Sequence, residues 1–407
     1  IYERTRSLEP LGAALGLFPN GFAALQEISP VVKERIHESA IPLTNSQMKH
    51  IDGSTIREMD LISSSSSRVL PTFLVWYLLQ QYLREDLPEG VLSLGHVLES
   101  FSVIDDDDDD DEKNIIGNKM VRVRTLNRSK DNAVETKTCK VLIGADGIKS
   151  VVRTLLFGEQ RQLKYHGKMM FRAVMGLHRI DQGICAAAGI STAYQGEENG
   201  KLFAFRETAK GILTFTAMSL FEEPDLLHDA NDRKKRLKEL FSDYPSEVVG
   251  HIIERMPPSS LYENAVHDLE VEEQWSDGPV LLIGDAAHAM TPGMGQGANQ
   301  GLEDACELAI VLAPALLLHA ETKGTEQTQT YNNSSSSTTK DISNVLELFW
   351  RGRIDRVKEI HAASRARTAS VNQSSSKSAA YSEKDKLSFT NRLYQWKPTS
   401  LTLAQQL

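Results

Sequence analysis

The sequence contains few cysteines, and their spacing shows no pairing pattern. Cys139, Cys185 and Cys306 lie far apart and form no CxxC pair. An odd number of cysteines at such spacing fits reduced thiols and argues against a disulfide framework or a zinc site. The sequence also lacks a Ser-His-Asp triad or a carboxylate pair at catalytic spacing, so neither metal chemistry nor hydrolytic chemistry is predicted.

The chain also has no excess of positive charge, although it contains 45 Lys and Arg residues against 55 Asp and Glu residues. The formal net charge is -10, and the run Asp105–Asp111 with Glu112 supplies -8 of it, which leaves -2 for the rest of the chain. Without a basic surface, neither nucleic acid nor an anionic membrane is an expected partner. The longest apolar stretch, 308–318, is too short to span a bilayer and is interrupted by Pro314. We expect a soluble protein, cytoplasmic or, alternatively, in an organelle such as the plastid.

One stretch, 280–313, suggests a ligand site within the 407 residues, which are enough for two or three structural lobes. Its apolar start, 280–283, predicts a buried strand, and Asp285 follows at the carboxyl end, where open α/β sheets bind ligands. A glycine-rich loop then leads into an apolar helix, whose free N–H groups favour negative charge. This layout suits a flavin. The alternative is that Asp285 only caps the next turn and the glycines form an ordinary loop.

A second segment, 140–153, repeats the pattern. An apolar strand ends in Gly-Ala-Asp-Gly, with Asp146 and Gly147 followed by Ser150 and Arg153 at fixed offsets. Together, and in this order, the two segments resemble the FAD-dependent aromatic-ring hydroxylase family, which includes salicylate hydroxylase-like enzymes and zeaxanthin epoxidase. The fold class that the resemblance implies is α/β, with a three-layer Rossmann-like FAD-binding domain and a β-rich substrate domain.

The resemblance also implies roles for individual residues. Asp285 would bind the ribityl hydroxyls of FAD, and Asp146 with Gly147 would lie behind the pyrophosphate. His288 is a weak catalytic candidate, with a structural hydrogen bond as the alternative. Independently of the resemblance, Glu303 and Asp304 are expected in the first turn of the helix, where they would complement the helix dipole. The residues expected to face the flavin ring are Pro292, Gly293, Gly295, Gly297 and Asn299.

The start of the chain fits a cofactor-binding unit from which one part is missing. Tyr2 and Glu3 resemble the end of a strand whose acid binds the ribose hydroxyl, about 20 residues after a GxGxxG turn. No such turn precedes Glu3, so we expect that the first strand, the glycine turn and the first helix are missing from the sequence. A terminal surface charge is the alternative role for Glu3. Arg68, at the predicted start of a helix to about Arg84, resembles the family's Arg-x-x-Leu helix start. The resemblance implies that Arg68 contacts the pyrophosphate; the alternative is a solvated arginine.

The predicted organisation alternates between the two lobes. Residues 1–156 and 272–320 would form the FAD-binding domain and 157–271 the substrate sheet, with 345–369 as a helix packed on the FAD domain. Residues 105–113, 321–344 and 370–407 are expected to be a disordered loop, a disordered insertion and a flexible tail. Several sheet residues are either pocket or plain core candidates: Phe171, Arg172, Phe203, Phe205, Phe215 and Met218.

The function implied by the resemblance is monooxygenation. FAD, reduced by NADPH or NADH, would activate O2, and one oxygen atom would enter an aromatic or alkene-type organic substrate. Two alternatives stay open: another FAD-dependent oxidoreductase on this scaffold, such as a halogenase or a reductase, or a truncated fragment without activity.

Overall fold

The computed structural model describes residues 1–8, 13–64, 69–105, 119–159, 161–181, 183–184, 187–196, 200–322, 342–370 and 383–398. Arg68 and nearly all of the predicted disordered loop and insertion lie outside these ranges. Eleven α-helices occur in the described residues: α1 (Pro19–Ile28), α2 (Pro30–Ser39), α3 (Leu61–Ser64), α4 (Trp76–Glu85), α5 (Val151–Phe157), α6 (Ala230–Leu240), α7 (His251–Arg255), α8 (Asp285–His288), α9 (Gly297–Thr322), α10 (Ile342–Ser370) and α11 (Glu383–Tyr394). Among them, none combines the length and hydrophobicity that crossing a bilayer requires.

The same ranges contain eighteen strands: β1 (Tyr2–Glu3), β2 (Ala14–Leu17), β3 (Ile41–Pro42), β4 (Asn45–His50), β5 (Thr55–Asp60), β6 (Thr72–Val75), β7 (Ser93–Leu94), β8 (His96–Asp105), β9 (Lys119–Asn127), β10 (Ala133–Cys139), β11 (Leu142–Gly144), β12 (Leu163–Gly176), β13 (Ile190–Gln195), β14 (Leu202–Ala209), β15 (Ile212–Leu220), β16 (Leu261–Leu269), β17 (Ser276–Asp277) and β18 (Val280–Leu282).

A seven-stranded sheet is the largest unit, with the order β16-β12-β15-β14-β13-β4-β5. Side chains alternate between its faces, as the pattern of the sequence predicts. One face packs against α6 and α7 in an apolar cluster, which we call the core face: Met169, Phe171, Ala173, Met175, Tyr194, Phe203, Phe205, Leu213, Phe215 and Ala217. Four of the six candidate residues, the phenylalanines, therefore belong to plain core.

Two strands of this sheet come from an unexpected part of the chain. β4 and β5 form a hairpin around Asp52 and Gly53, and β4 pairs in parallel with β13, so the hairpin joins the substrate sheet. The predicted boundary, which assigned all of 1–156 to the FAD-binding half, is wrong for 45–60. The helix expected from Arg68 also differs, because 72–75 form β6 before α4 begins.

The second apolar cluster holds the predicted FAD-binding half together. It joins β9, β18, α9 and α10 around Trp275 and the buried strand 280–282, and α10 packs against α9. The predicted flexible tail is wrong for 383–398, which contain α11. Leu393 and Trp396 are buried, and the Arg356 guanidinium donates to the Leu393 carbonyl oxygen at 3.0 Å.

Candidate cofactor site

The two motif strands are direct neighbours. β11 pairs in parallel with β18, with Gly144 opposite Leu282, and the Ile283 N–H donates to the Gly144 carbonyl at 3.0 Å. Since parallel strands end at the same edge of a sheet, the loops that carry Asp146 and Asp285 leave from one edge. The fold thus brings together the two segments on which the prediction rested.

Arg153 fastens these two loops to each other. It is buried in α5, and its guanidinium donates to the Ala286 carbonyl at 2.9 Å and to the Ile148 carbonyl at 2.7 Å. The first acceptor belongs to the Asp285 segment and the second to the Asp146 segment. A buried guanidinium that joins two loops in this way fixes their relative position.

The carboxylate of Asp146 is occupied by protein. It accepts hydrogen bonds from the Val151 N–H at 2.7 Å, from the Val152 N–H at 3.1 Å and from the Ser150 hydroxyl. Ser150 in turn caps α5 by accepting from the Arg153 N–H. Asp146 therefore shapes the loop, and its predicted position behind the pyrophosphate stays a prediction, as does that of Gly147.

Asp285 is the opposite case. Its side chain is exposed, yet the surrounding protein displaces enough water to raise its pKa, an effect that the nearby His288 partly offsets. Within the described residues it accepts no hydrogen bond, and α8 begins without a side-chain cap, so the capping alternative is not observed. A desolvated carboxylate that still faces open space fits a ligand hydroxyl. The ribityl chain of FAD carries such hydroxyls, so the residues present fit this cofactor.

The glycine-rich loop passes close to α10 and to Phe18. Pro292 is exposed at the start of a 3-10 turn, while a Cβ at Gly293 would lie 2.5 Å from the Ser364 carbonyl oxygen of α10. Gly295 is exposed and left-handed, with φ of 62°, and a Cβ there would lie 3.0 Å from the Phe18 ring. Only glycine allows this path, which leaves the backbone accessible.

The helix α9 begins at Gly297 beside the free carboxylate. A Cβ at Gly297 would lie 3.6 Å from Oδ1 of Asp285. Asn299, in contrast, is fully buried. Its amide donates to the Gly16 and Gly295 carbonyls at 2.9 and 3.0 Å, and its oxygen accepts from the Phe18 N–H at 3.0 Å. The Asn299 side chain thus stabilises the glycine-rich loop, and its predicted contact with the flavin ring stays a prediction.

A buried polar network connects His288, α9 and α10. His288 is buried, and its Nε2 lies 2.6 Å from Asp304, so the geometry favours the structural alternative over catalysis. Arg353 donates to Asp304 at 2.9 Å and to Glu303 at 2.7 Å. Burial alone raises the pKa of Asp304, but His288 and Arg353 outweigh it and lower the pKa to about 2. The predicted role of Glu303 and Asp304 in the first helical turn is wrong, because both lie further along α9 and anchor α10.

Of the two remaining predicted residues, only Glu3 is described. It ends β1, which pairs in parallel with β7, so the predicted strand is present. Its carboxylate accepts from the Thr5 N–H at 2.8 Å. The ribose role of Glu3 and the pyrophosphate role of Arg68 stay predictions.

Comparison with known proteins shows the family. The sequence model of the family described as "FAD binding domain" matches residues 105–343, more than half of the chain, and the chain belongs to this family. FAD is the cofactor of this family, and the homologues of the chain are FAD-dependent monooxygenases. The chain is therefore a FAD-dependent oxidoreductase, the class that the two motifs predicted.

Individual relatives agree. The 2-heptyl-3-hydroxy-4(1H)-quinolone synthase of Pseudomonas aeruginosa is 29% identical over 312 residues, which cover 76% of this chain and 73% of that protein. The FAD-dependent monooxygenase cdmI of Talaromyces verruculosus is 26% identical over 90% of this chain and 72% of its own length. The chloroplastic zeaxanthin epoxidase of Arabidopsis thaliana is 27% identical, and the alignment covers 85% of this chain and 46% of the epoxidase.

Solved structures confirm the fold class. Klebsiella pneumoniae HpxO, complexed with FAD and uric acid, superimposes with a TM-score of 0.68 at 21% identity, covering 100% of this chain and 88% of HpxO. A salicylate hydroxylase substrate complex gives a TM-score of 0.66 at 18% identity over 97% and 90% of the two chains. The fold is that of a Rossmann-like FAD-binding domain with a substrate-binding domain.

Proposed function

We propose that this protein is a monooxygenase that takes electrons from NADPH or NADH and inserts one oxygen atom of O2 into an aromatic or alkene-type substrate. The observation that carries the proposal is the free, desolvated carboxylate of Asp285 beside the exposed glycine loop and the start of α9. The names of the relatives, which include a zeaxanthin epoxidase and a salicylate hydroxylase, support oxygen insertion over other flavin chemistry.

In this proposal the residues of the chain hold and orient the cofactor. Asp285 accepts from the ribityl hydroxyls, Pro292, Gly293, Gly295 and Gly297 present backbone to the flavin ring, and Glu3, Arg68, Asp146 and Gly147 lie toward the nucleotide end. Bound FAD supplies the electron transfer and the activation of O2. The seven-stranded sheet covers the loop, excludes water and holds the substrate.

The experiment is to load the 407-residue chain with FAD and follow NADPH and NADH oxidation together with O2 uptake, with and without candidate aromatic substrates. We expect O2-dependent oxidation that a substrate accelerates, and a product that carries oxygen from labelled O2. Oxidation of the nicotinamide that continues without O2 would indicate a reductase. Product formation that requires a halide ion would indicate a halogenase. If the chain binds no FAD, the inactive-fragment alternative holds.

The variant Asp285→Ala tests directly whether the Asp285 carboxylate binds FAD. Removing an acceptor of hydroxyl hydrogen bonds should cost about 1.5–3 kcal/mol and weaken FAD binding by about 10- to 150-fold. Fluorescence titration of FAD measures this loss, with thermal unfolding of the cofactor-free protein as the control for folding. Asp146→Ala serves as the contrast, because it should lower the stability of the α5 loop more than it changes the contacts to FAD. Equal FAD affinity in Asp285→Ala and the unchanged protein would contradict the assignment.

A further inference from the structure

The helical turn that carries Asp285 is too short to hold its own shape. α8 spans only Asp285–His288, follows Gly284 with a positive φ of 57°, and begins without a side-chain cap. Its two internal hydrogen bonds both end on the Gly284 carbonyl. Because a single turn fixes several backbone angles for so few bonds, it is unfavourable in isolation. Contacts from the rest of the fold must therefore set the direction of the Asp285 carboxylate.

One carboxylate oxygen contacts both ends of this turn. Oδ2 of Asp304 accepts from the Gly284 N–H at 2.8 Å, and the same oxygen lies 2.6 Å from Nε2 of His288. Gly284 directly precedes Asp285, and His288 is the last residue of α8, so the two contacts bracket the carboxylate proposed to bind the ribityl chain. Since they converge on a single atom, a change at Asp304 releases both ends at once.

Asp304 is itself held in place by α10. Its Oδ1 accepts from Nε of Arg353 at 2.9 Å, and the two side chains are 0% and 1% exposed. Burial alone would raise the pKa of Asp304, but its charged neighbours hold it at about 2, so the group is ionised at neutral pH. An ionised carboxylate only accepts hydrogen bonds, which makes Nε2 of His288 a donor. Bonds to a charged acceptor are stronger than neutral ones.

Two glycines allow α9 to bring Asp304 close to the turn. A Cβ at Gly284 would lie 3.8 Å from the Cα of Gly301, so the two backbones pack directly on each other. At the start of the same helix, a Cβ at Gly297 would lie 3.6 Å from Oδ1 of Asp285. Asp304 is fully buried, whereas Asp285 is exposed. Asp304 can therefore act on a ligand only through the turn.

Other contacts restrain the turn independently of Asp304. The Arg153 guanidinium donates to the Ala286 carbonyl at 2.9 Å, and the ring of the fully buried Trp275 lies 4.9 Å from that of His288. These contacts remain when Asp304 is changed. We therefore expect a variant of Asp304 to keep α8 and to lose the fixed direction of its carboxylate.

From these contacts we infer that Asp304 is a positioning residue for FAD: it holds Gly284 and His288 so that the Asp285 carboxylate meets the ribityl hydroxyls. The inference rests on the proposed function, since it extends the role assigned there to Asp285. A binding group has to stay within about 0.5 Å of its productive position. A loosened turn should therefore weaken FAD binding even though Asp285 is still present.

A double-mutant cycle tests whether Asp304 acts through Asp285. FAD is titrated by fluorescence into the full chain with Asp304→Asn, with Asp285→Ala, with both changes and with neither. Asparagine keeps the size of the side chain, but its amide must face either Arg353 or the donors of the turn. We expect Asp304→Asn to weaken FAD binding about tenfold alone and less than about twofold where residue 285 is already alanine.

The matched control is Glu263→Gln on β16. The Glu263 side chain is 1% exposed and pairs with Arg236 at 2.9 Å, so this variant also breaks a buried ion pair. It shares no partner with the turn, and its FAD affinity should stay within about twofold. If Asp304→Asn does not fold, His288→Phe removes one of the two contacts and should weaken FAD binding about threefold, while His288→Gln, whose amide can donate, restores part of it.

Hydrogen exchange of the cofactor-free chain gives a second readout that does not depend on FAD. Asp304→Asn should accelerate amide exchange in residues 283–289 more than in β14, which reports the stability of the substrate sheet. Glu263→Gln should not accelerate exchange selectively in 283–289.

Equal losses of FAD affinity from Asp304→Asn in both backgrounds, or a loss no larger than that of Glu263→Gln, would overturn the inference and leave the role of Asp285 intact. Full FAD affinity in Asp285→Ala would overturn that role and this inference with it. If the unchanged chain binds no FAD, the proposed function fails, and hydrogen exchange alone decides: equal acceleration in 283–289 and in β14 would contradict a positioning role of Asp304. Coupled FAD binding without O2-dependent NADPH oxidation would contradict only the proposed function.

Discussion

The two faces of the seven-stranded sheet share one backbone and have opposite chemistry. The core face is closed by α6 and α7 and consists of stacked aromatic and aliphatic side chains. The opposite face, which we call the arginine face, carries Arg172 and Arg206, and within the described residues neither guanidinium forms an ion pair. The core face thus supplies stability, while the opposite face carries cationic side chains that burial partly desolvates, and residues two apart on a strand lie on the same face.

The largest effect that would sharpen this contrast is expected on the core face. Phe203 is fully buried, and its ring stacks on Phe215 at 4.9 Å and meets Phe241 edge-on at 5.6 Å. Phe203→Ala should lower the free energy of unfolding by about 3–5 kcal/mol, because the cavity cannot close fully. Urea denaturation followed by circular dichroism measures this loss.

The matched control for that loss is the variant Thr216→Ala. Thr216 lies on the neighbouring strand, β15, and its side chain is on the arginine face of the sheet. It is partly exposed, so we expect a change below about 1 kcal/mol. Similar losses in the two variants would erase the distinction between the faces.

A smaller effect should appear as pH dependence from Lys168. Its side chain is buried, and burial lowers its pKa from 10.5 to about 8. Between these values the unfolded chain holds a proton that the folded chain has lost, so stability due to this group rises as pH increases from 8 toward 10.5. The free energy of unfolding should therefore rise by up to about 3 kcal/mol more in the unchanged protein than in Lys168→Met. Lys130→Met, at an exposed lysine, should follow the unchanged protein, and parallel pH profiles for all three would contradict the prediction.

These contrasts show which features the sequence could reveal. The strand-and-aspartate motifs were predictable because an apolar run and its terminal acid are neighbours in the chain. Asp146 accepts hydrogen bonds from the start of α5, whereas Asp285 accepts none within the described residues. This difference depends on three-dimensional contacts, such as that of Ser150 with Asp146. Alternation located the strands but gave no sign of which helices cover which face.

The tail shows the same limit. Its composition predicted flexibility, yet Trp396 packs against Ala24 and Cys306, which are distant in the chain. Hydrophobic residues of this kind gain stability only where a partner surface exists, so composition alone could not assign them to the core.

The smallest expected effect concerns the arginine face itself. Arg172→Met removes a partly buried cation whose Nε is unsatisfied, and the Asn264 side chain that loses its donor is exposed and can bind water. The free energy of unfolding should therefore stay the same or rise by up to about 1 kcal/mol, because the variant removes the desolvation cost of a partly buried charge. Urea denaturation of the FAD-loaded protein measures this change. A decrease of more than about 2 kcal/mol in the free energy of unfolding would mean that Arg172 stabilises the fold as the core residues do. The two faces would then differ in chemistry but not in their contribution to stability.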